Sequence, residues 1–331
     1  MRDGRWLVGM GMATAYHPAQ EFVSKLTVKL SADGTVPVRC GLHEIGNGAV
    51  TAQTQITADV LGVPPTAVTV RYGTSDEPTA TTAAASAQTA SVAADLTAAC
   101  EKLKQKVLAL AGKSAASPLR GHSLNDLQAR DGRLYMTGRA STGETYAAIL
   151  ARAGRASVEV AVGADTRIGN VAGQMKMMSK VIRNDRRLVR AATGAHFCEV
   201  RVDHDTGEVR IVRWTGVFGI GTVINPKLAG SQVRGAIVMG IGLALGEETL
   251  VDPRNGRIMN PSLAEYHIPV HADVPPIDVR FLDEPDPTMP LGLIGVGQVG
   301  ITGAAAAIGN AVRHATGTRL THLPITLDQL L

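Results

Sequence analysis

The chain has 331 residues, with 33 Lys+Arg against 29 Asp+Glu and a formal net charge of +4; so small and scattered an excess excludes a nucleic-acid binder built on a basic face. Hydrophobic residues at 45% supply a sizeable core, and charged residues at 19% are too few for a disordered chain. With aromatics at 3% and 36 glycines the core must rely on Ala, Val, Ile and Leu, and the three cysteines (Cys40, Cys100, Cys198) are too few and too far apart for a disulfide framework or a Cys-based metal site.

In chain order, Trp6–Met12 reads as an apolar strand with glycines, and Phe22–Leu30 as a strand of alternating character. Ala32-Asp33-Gly34 turns the chain back into a strand over Val36–Cys40. Gly46-Asn47-Gly48 opens a helix over Ala49–Leu61, which Gly62 stops and Pro64-Pro65 cannot continue. A short strand covers Ala67–Tyr72. The Ala/Thr/Ser/Gln stretch Thr79–Thr89 then feeds a helix ending near Leu110, with Gly112 beyond it. Residues 115–184 mix Gly, Arg and short helical runs and read as a connection with a small subsidiary element. His196–Asp203 and Val209–Trp214 read as a hairpin around Asp205-Thr206-Gly207, followed by a small-residue helix from about Gln232 to Leu245. Ile277–Leu282 is a strand, and a Gly/Ala helix runs from about Gly303 to His314, closed by Gly317. The expected class is α+β: two mixed sheet-and-helix subdomains over 1–112 and 190–331, joined by a connecting region over 113–189. No window approaches 18 uninterrupted apolar residues, which argues against a membrane span, and Met1-Arg2-Asp3-Gly4 leads straight into strand-like sequence without a signal-type apolar region.

Four segments place small or amide-bearing residues directly before a predicted helix: Gly46-Asn47-Gly48, Ala85-Ser86-Ala87, Ser231-Gln232, and Gly297-Gln298 through Gly303. A helix N-terminus presents free N–H groups and about half a positive charge, which suits an anion. One such loop is an ordinary cap. Four in a chain of few charges point to a large anionic cofactor held by backbone and side-chain amides. No phosphate-loop motif, dinucleotide fingerprint, HExxH or GxSxG is present.

These loops resemble the pterin-binding segments of the molybdenum hydroxylases, the xanthine dehydrogenase and aldehyde oxidase family. Gly41-Leu42-His43-Glu44-Ile45-Gly46-Asn47-Gly48, with Thr51 and Gln55, resembles the first segment. Gly73-Thr74-Ser75 and Ala83–Thr89 are similar to the second. Gly194-Ala195-His196-Phe197, then Ile224-Asn225-Pro226 with Gln232 and Gly235, is similar to the third. Gly297-Gln298-Val299-Gly300 and the run to Leu323-Pro324-Ile325-Thr326 resemble the C-terminal signature, and the similarity points to bacterial aldehyde oxidoreductases with separate subunits.

The resemblance implies molybdenum on molybdopterin, in the cytosine dinucleotide form, and oxidative hydroxylation of an aldehyde or N-heterocycle with water supplying the oxygen. It assigns cofactor contacts to Gly46, Asn47, Gly48, Thr51, Ala85, Ser86, Ala87, Gln88, Thr89, Gln232 and Gly297, and the catalytic position to Gln298. No protein ligand to the metal is implied. Iron–sulfur clusters and FAD belong on other chains, since three isolated cysteines form no cluster motif. The implied partners are a chain supplying the first half of the large subunit, an iron–sulfur subunit and an FAD subunit, with no nucleic acid or membrane. The implied compartment is the cytoplasm, or the periplasm if the chain is exported with a partner.

Three departures qualify the resemblance. The first half of the family's large subunit, with its Gly-Gly-Phe-Gly segment, has no counterpart here. Gly219 stands where an Asp–x–Gly precedes the Asn-Pro. Gln298 stands where the family carries a Glu base, and an amide cannot take a proton near neutral pH. The alternative reading is therefore a catalytically impaired fragment or a non-catalytic assembly subunit. On residue chemistry alone, Gln298 is also compatible with a core or cap amide, Gln232 with a helix cap, and His43 and His196 with satisfied structural histidines.

Overall fold

In the structure, a computed structural model, the helix over Ala49–Leu61 and the strand over Ile277–Leu282 keep their expected bounds, whereas the first long strand runs on to Pro18 and the strand expected over Phe22–Leu30 covers Leu26–Ser31. The structure describes residues 1–331, with the side chains of Asn184, Asp185, Arg186 and Pro290 outside the described set. The strands are β1 (Arg2–Asp3), β2 (Trp6–Pro18), β3 (Leu26–Ser31), β4 (Val36–Arg39), β5 (Val68–Arg71), β6 (Leu127–Arg130), β7 (Arg133–Met136), β8 (Arg139–Thr145), β9 (Ser157–Val162), β10 (Ala191–Asp203), β11 (Val209–Gly219) and β12 (Ile277–Leu282). The helices are α1 (Ala49–Leu61), α2 (Gln88–Gly112), α3 (Tyr146–Arg152), α4 (Val171–Arg187), α5 (Pro226–Leu245) and α6 (Ala304–Thr316).

The chain divides into two compact units. The first comprises Met1–Ala19, Arg190–Pro285 and Val296–Leu331; the second comprises Gln20–Val189 and Asp286–Gly295. This differs from the expected boundaries of 1–112, 113–189 and 190–331, for two physical reasons. β2 pairs antiparallel with β10 over thirteen consecutive positions, from Ala191 opposite Pro18 to Asp203 opposite Trp6, and so draws the N-terminal segment into the C-terminal unit. β9 pairs antiparallel with β3, from Leu26 opposite Val162 to Ser31 opposite Ser157, so the region read as a connection is part of the second unit's main sheet.

The first unit is built on a five-stranded sheet in the order β1-β2-β10-β11-β12, antiparallel except for the β11/β12 pair. α6 lies across β2 and β10, and the glycines of β2 allow it: a Cβ on Gly9 would stand 2.1 Å from the Ala311 carbonyl oxygen, and one on Gly11 2.1 Å from that of Ala307. α5 begins six residues earlier than its expected start at Gln232. Asn225 caps it by accepting from the Leu228 N–H at 3.0 Å, and Pro226 supplies a first-turn φ with no N–H to satisfy. Among the described residues, α5 alone is long and apolar enough to cross a membrane by length and composition, with an 18-residue window of mean hydropathy 1.4. Half of that window is buried, with Val233, Ile237, Ile241 and Ala244 in the core, and this accounts for its apolar character.

The second unit holds a four-stranded sheet, β5-β4-β3-β9, and a three-stranded meander, β6-β7-β8. α2 carries one buried face, including Val92, Leu96, Leu103 and Val107, in contact with β3, β9 and α1. α1 ends as its sequence predicts: Gly62 adopts φ 61° and its N–H returns to the Ala58 and Asp59 carbonyls. Cys40, Cys100 and Cys198 are all free and buried, and burial pushes each thiol up to about 12.

Candidate functional site

In the second unit the structure brings the first and second predicted loops together. The Gln88 side chain, 3% exposed, pairs with the His43 main chain in both directions: its Nε2 donates to the His43 carbonyl at 2.9 Å, and its Oε1 accepts the His43 N–H at 3.3 Å. Gln53, a residue the sequence reading missed, adds a second link from α1 to α2. Its Nε2 donates to the Thr89 carbonyl at 3.2 Å, while its buried Oε1 has no partner among the described residues. The Gln88 side chain thus clamps the two loops.

The starts of α1 and α2 differ in chemistry. At α1 the Glu44 carboxylate accepts three backbone N–H groups, from Gly46 at 3.0 Å, Gly48 at 2.9 Å and Val50 at 3.0 Å. Asn47 Oδ1 takes the Ala49 N–H at 3.3 Å. Gly46 and Gly48, with φ of 92° and 74°, shape the loop that lets Glu44 fold back onto it. The anion at this helix terminus is therefore the chain's own, and the expectation that Gly46, Asn47 and Gly48 offer free N–H groups is corrected. Thr51 projects from the first turn of α1 and is exposed. The carboxylate two residues before Gly46 was the available signal.

At α2 the N-cap residue, Ala87, makes no side-chain cap hydrogen bond. The 25-residue helix starts at Gln88 without a side-chain cap, after Ala85 and Ser86 in the left-handed region at φ 51° and 53°. Left-handed non-glycine residues cost about 1–3 kcal/mol each and persist where the surroundings enforce them. Gly295 makes room for this turn: a Cβ on it would stand 1.7 Å from the Ser86 carbonyl oxygen. A long helix without a side-chain cap at its start, behind a left-handed turn of small residues, fits an anionic group approaching the Ala85–Thr89 backbone.

In the first unit, Gln298 and Gln232 lie on adjoining elements. The Gln298 carbonyl accepts from the Ile301 N–H at 3.1 Å and the Thr302 N–H at 3.4 Å, forming a turn just before α6. Gly300 in that turn seats against α5, where a Cβ would meet Ala236 Cβ at 2.9 Å and the Val233 carbonyl at 3.1 Å. Gln232 lies within α5 beside Val233, half-buried, and is not a helix-opening residue. Gly297 and Gln298 are also half-buried.

His196, on β10, fastens this turn. Its ring is fully buried; Nδ1 accepts from Trp214 Nε1 at 3.2 Å, and the remaining nitrogen, Nε2, faces the Thr302 carbonyl at 3.0 Å as donor. Thr302 Oγ1 in turn donates to the Val299 carbonyl at 3.1 Å and accepts the Tyr16 N–H at 3.2 Å. Trp214 and Phe218 stand edge-on to the imidazole at 5.5 and 5.2 Å. Burial, opposed by its backbone hydrogen bonds, holds His196 below its ordinary pKa of 6.5. The unfolded chain therefore binds a proton that the folded chain resists, and this contribution to stability, full above about pH 6.5, falls away as the pH drops through the depressed folded value. The urea midpoint of the chain is expected to decline below pH 6.5, and the decline to be shallower in His196→Gln, whose amide cannot ionise. Identical pH slopes in the two proteins would refute this assignment.

Among the described residues no cluster of three or more His, Cys, Asp or Glu could hold a metal ion. The family described as the molybdopterin cofactor-binding domain matches residues 1–275. The chain is 37% identical over 335 residues to the aldehyde oxidoreductase molybdenum-binding subunit PaoC of Escherichia coli O157:H7, covering 100% of this chain and 41% of the relative. It is 32% identical over 303 residues to the xanthine dehydrogenase molybdenum-binding subunit of the same organism, covering 91% and 38%. Among solved structures, quinoline 2-oxidoreductase from Pseudomonas putida 86 superposes with a TM-score of 0.82 at 25% identity, over 98% of this chain and 41% of that one. The chain thus spans about two fifths of the length of these relatives. It belongs to the molybdopterin cofactor-binding domain family.

Proposed function

We propose that this chain is the cofactor-holding portion of the large subunit of a molybdenum-dependent oxidoreductase that hydroxylates an aldehyde or N-heterocycle. The observation that carries the reading is the α2 start: a 25-residue helix without a side-chain cap behind a left-handed turn, in a chain of a molybdopterin-binding family. The residues proposed to hold the cofactor are Ala85, Ser86, Ala87, Gln88 and Thr89 through their backbone, with Gly46, Asn47, Gly48 and Thr51 shaping the adjacent loop. Gln232 and Gly297, in the first unit, are the further residues proposed as cofactor contacts. Bound there, a molybdenum–molybdopterin centre supplies two-electron redox chemistry. Gln298 is the proposed catalytic position, where an amide can hydrogen-bond substrate but takes no proton near neutral pH.

The finer parts of the proposal are the cytosine dinucleotide form of the cofactor, an iron–sulfur subunit, an FAD subunit, a chain carrying the rest of the large subunit, and a cytoplasmic or co-exported periplasmic setting. A second reading, a catalytically impaired subunit that keeps the fold, is favoured by one observation, the amide at position 298. Metal and nucleotide analysis of the purified complex tests the first reading. Molybdenum and cytosine nucleotide in stoichiometric amount are the expected result, to be lost in Gly295→Gln, whose side chain has no room against Ser86. A complex free of molybdenum would overturn it.

A further inference from the structure

The five-stranded sheet of the first unit has one face covered by helices and one left bare. On the covered face sit Gly9, Gly11, His196, Trp214 and Phe218, all buried. The opposite face carries Met10, Met12, Tyr16 and Phe197, which are 49%, 51%, 55% and 45% exposed. Register makes these one band: Met12 lies directly opposite Phe197 on the neighbouring strand, with Met10 and Tyr16 two positions before and four after it on β2. Leu282 on β12, 43% exposed, extends the band to the far edge, opposite Gly219. Charges on this face are paired: Arg213 with Glu199 at 2.8 Å, and Arg280 with Asp278 at 2.8 Å.

An antiparallel sheet that faces water on one side alternates apolar-in and polar-out. This one does not. A chain with only four Phe and five Tyr spends one of each on the bare side of two adjoining strands, where neither fills the unit's own core. Methionine and aromatics inside a rim of paired charges are the composition of an interface centre, and methionine adapts to an apolar partner surface. About three fifths of the relatives' length lies outside the region matched here, so in those relatives polypeptide able to cover such a face belongs to the same subunit.

We propose that this bare sheet face is the docking surface for the remainder of the large subunit, an apolar surface that packs over Met10, Met12, Tyr16 and Phe197 as a further layer. This rests on the reading of the chain as part of a larger molybdenum-binding subunit. The test co-expresses the full chain with the part of Escherichia coli PaoC lying outside the matched region. It measures co-elution, dissociation constant, molybdenum content and hydroxyl-radical labelling of Met10 and Met12. One variant, Met12→Lys with Phe197→Glu, sets opposite charges directly across the strands and so spares the sheet itself. A second, Met10→Ser with Tyr16→Ser, removes apolar surface without adding charge. The expected result is a one-to-one complex with both methionines protected, and at least tenfold weaker binding by each variant at unchanged circular dichroism and melting temperature.

Unchanged affinity in both variants, or methionines labelled equally with and without the partner, would overturn the docking surface while a molybdenum-loaded complex left the functional reading standing. A concentration-dependent dimer of the chain alone, abolished by Met12→Lys with Phe197→Glu while the partner leaves labelling unchanged, would assign the face to a second copy and overturn it equally. No co-elution with molybdenum still on the chain would remove the docking surface alone; no co-elution and no molybdenum would remove both.

Discussion

Replacing Gln298 by Glu is expected to raise turnover of the assembled, molybdenum-loaded complex by about 10²-fold, the scale on which a positioned general base acts. Gln and Glu share length and shape, so the turn made by the Gln298 carbonyl with the Ile301 and Thr302 N–H groups should survive the exchange. His196 holds that turn through the Thr302 carbonyl, and Gly300 seats it on α5, neither contact depending on the side chain at 298. What changes is proton affinity: an amide hydrogen-bonds but takes no proton near neutral pH, whereas a carboxylate does. The gain should therefore lie in kcat with little change in KM, and activity should rise with pH as the new carboxylate ionises. Equal turnover of the wild type and Gln298→Glu in the same loaded complex would mean that another group serves as base.

The second large effect concerns β2 and α6. Gly11→Ala is expected to cost the first unit about 3 kcal/mol, because the added Cβ would stand 2.1 Å from the Ala307 carbonyl oxygen and 2.3 Å from the Ala311 nitrogen. Those are backbone atoms of a helix and cannot swing aside, so Ala311→Gly in the same chain should give little rescue. Gly309→Ala in α6 is the control. Nothing lies within 4 Å of its would-be Cβ, and relief of glycine's backbone entropy should leave stability unchanged or raised by up to about 1 kcal/mol. Urea unfolding of the three variants measures both effects. A Gly11→Ala protein as stable as the wild type would show that α6 is not seated on β2 as described.

Local signals in the sequence were enough for the elements they bound. α1 runs over Ala49–Leu61 as expected because Gly62 can enter the left-handed region and Pro64-Pro65 cannot extend a helix. β12 follows its alternation over Ile277–Leu282. The start of α5 is legible too, in the Asn225-Pro226 cap, six residues before the start at Gln232 that the run of small residues suggests.

By itself, then, the sequence determined the class, most helices and strands, the order of the cofactor-type loops and the family they resemble, since each rests on residues within about ten positions of one another. Only the tertiary structure decided which strands pair. β2 joins β10, and β9 joins β3, across more than a hundred residues, a choice made by shape and burial that no short window records. It also decided which helix start remains open. The Glu44 carboxylate folds back onto α1, while α2 starts without a side-chain cap behind a left-handed turn at Ala85–Ser86 that packs against Gly295, remote in sequence. Both outcomes depend on where a distant or folded-back group comes to rest, and that position is a property of the packed chain.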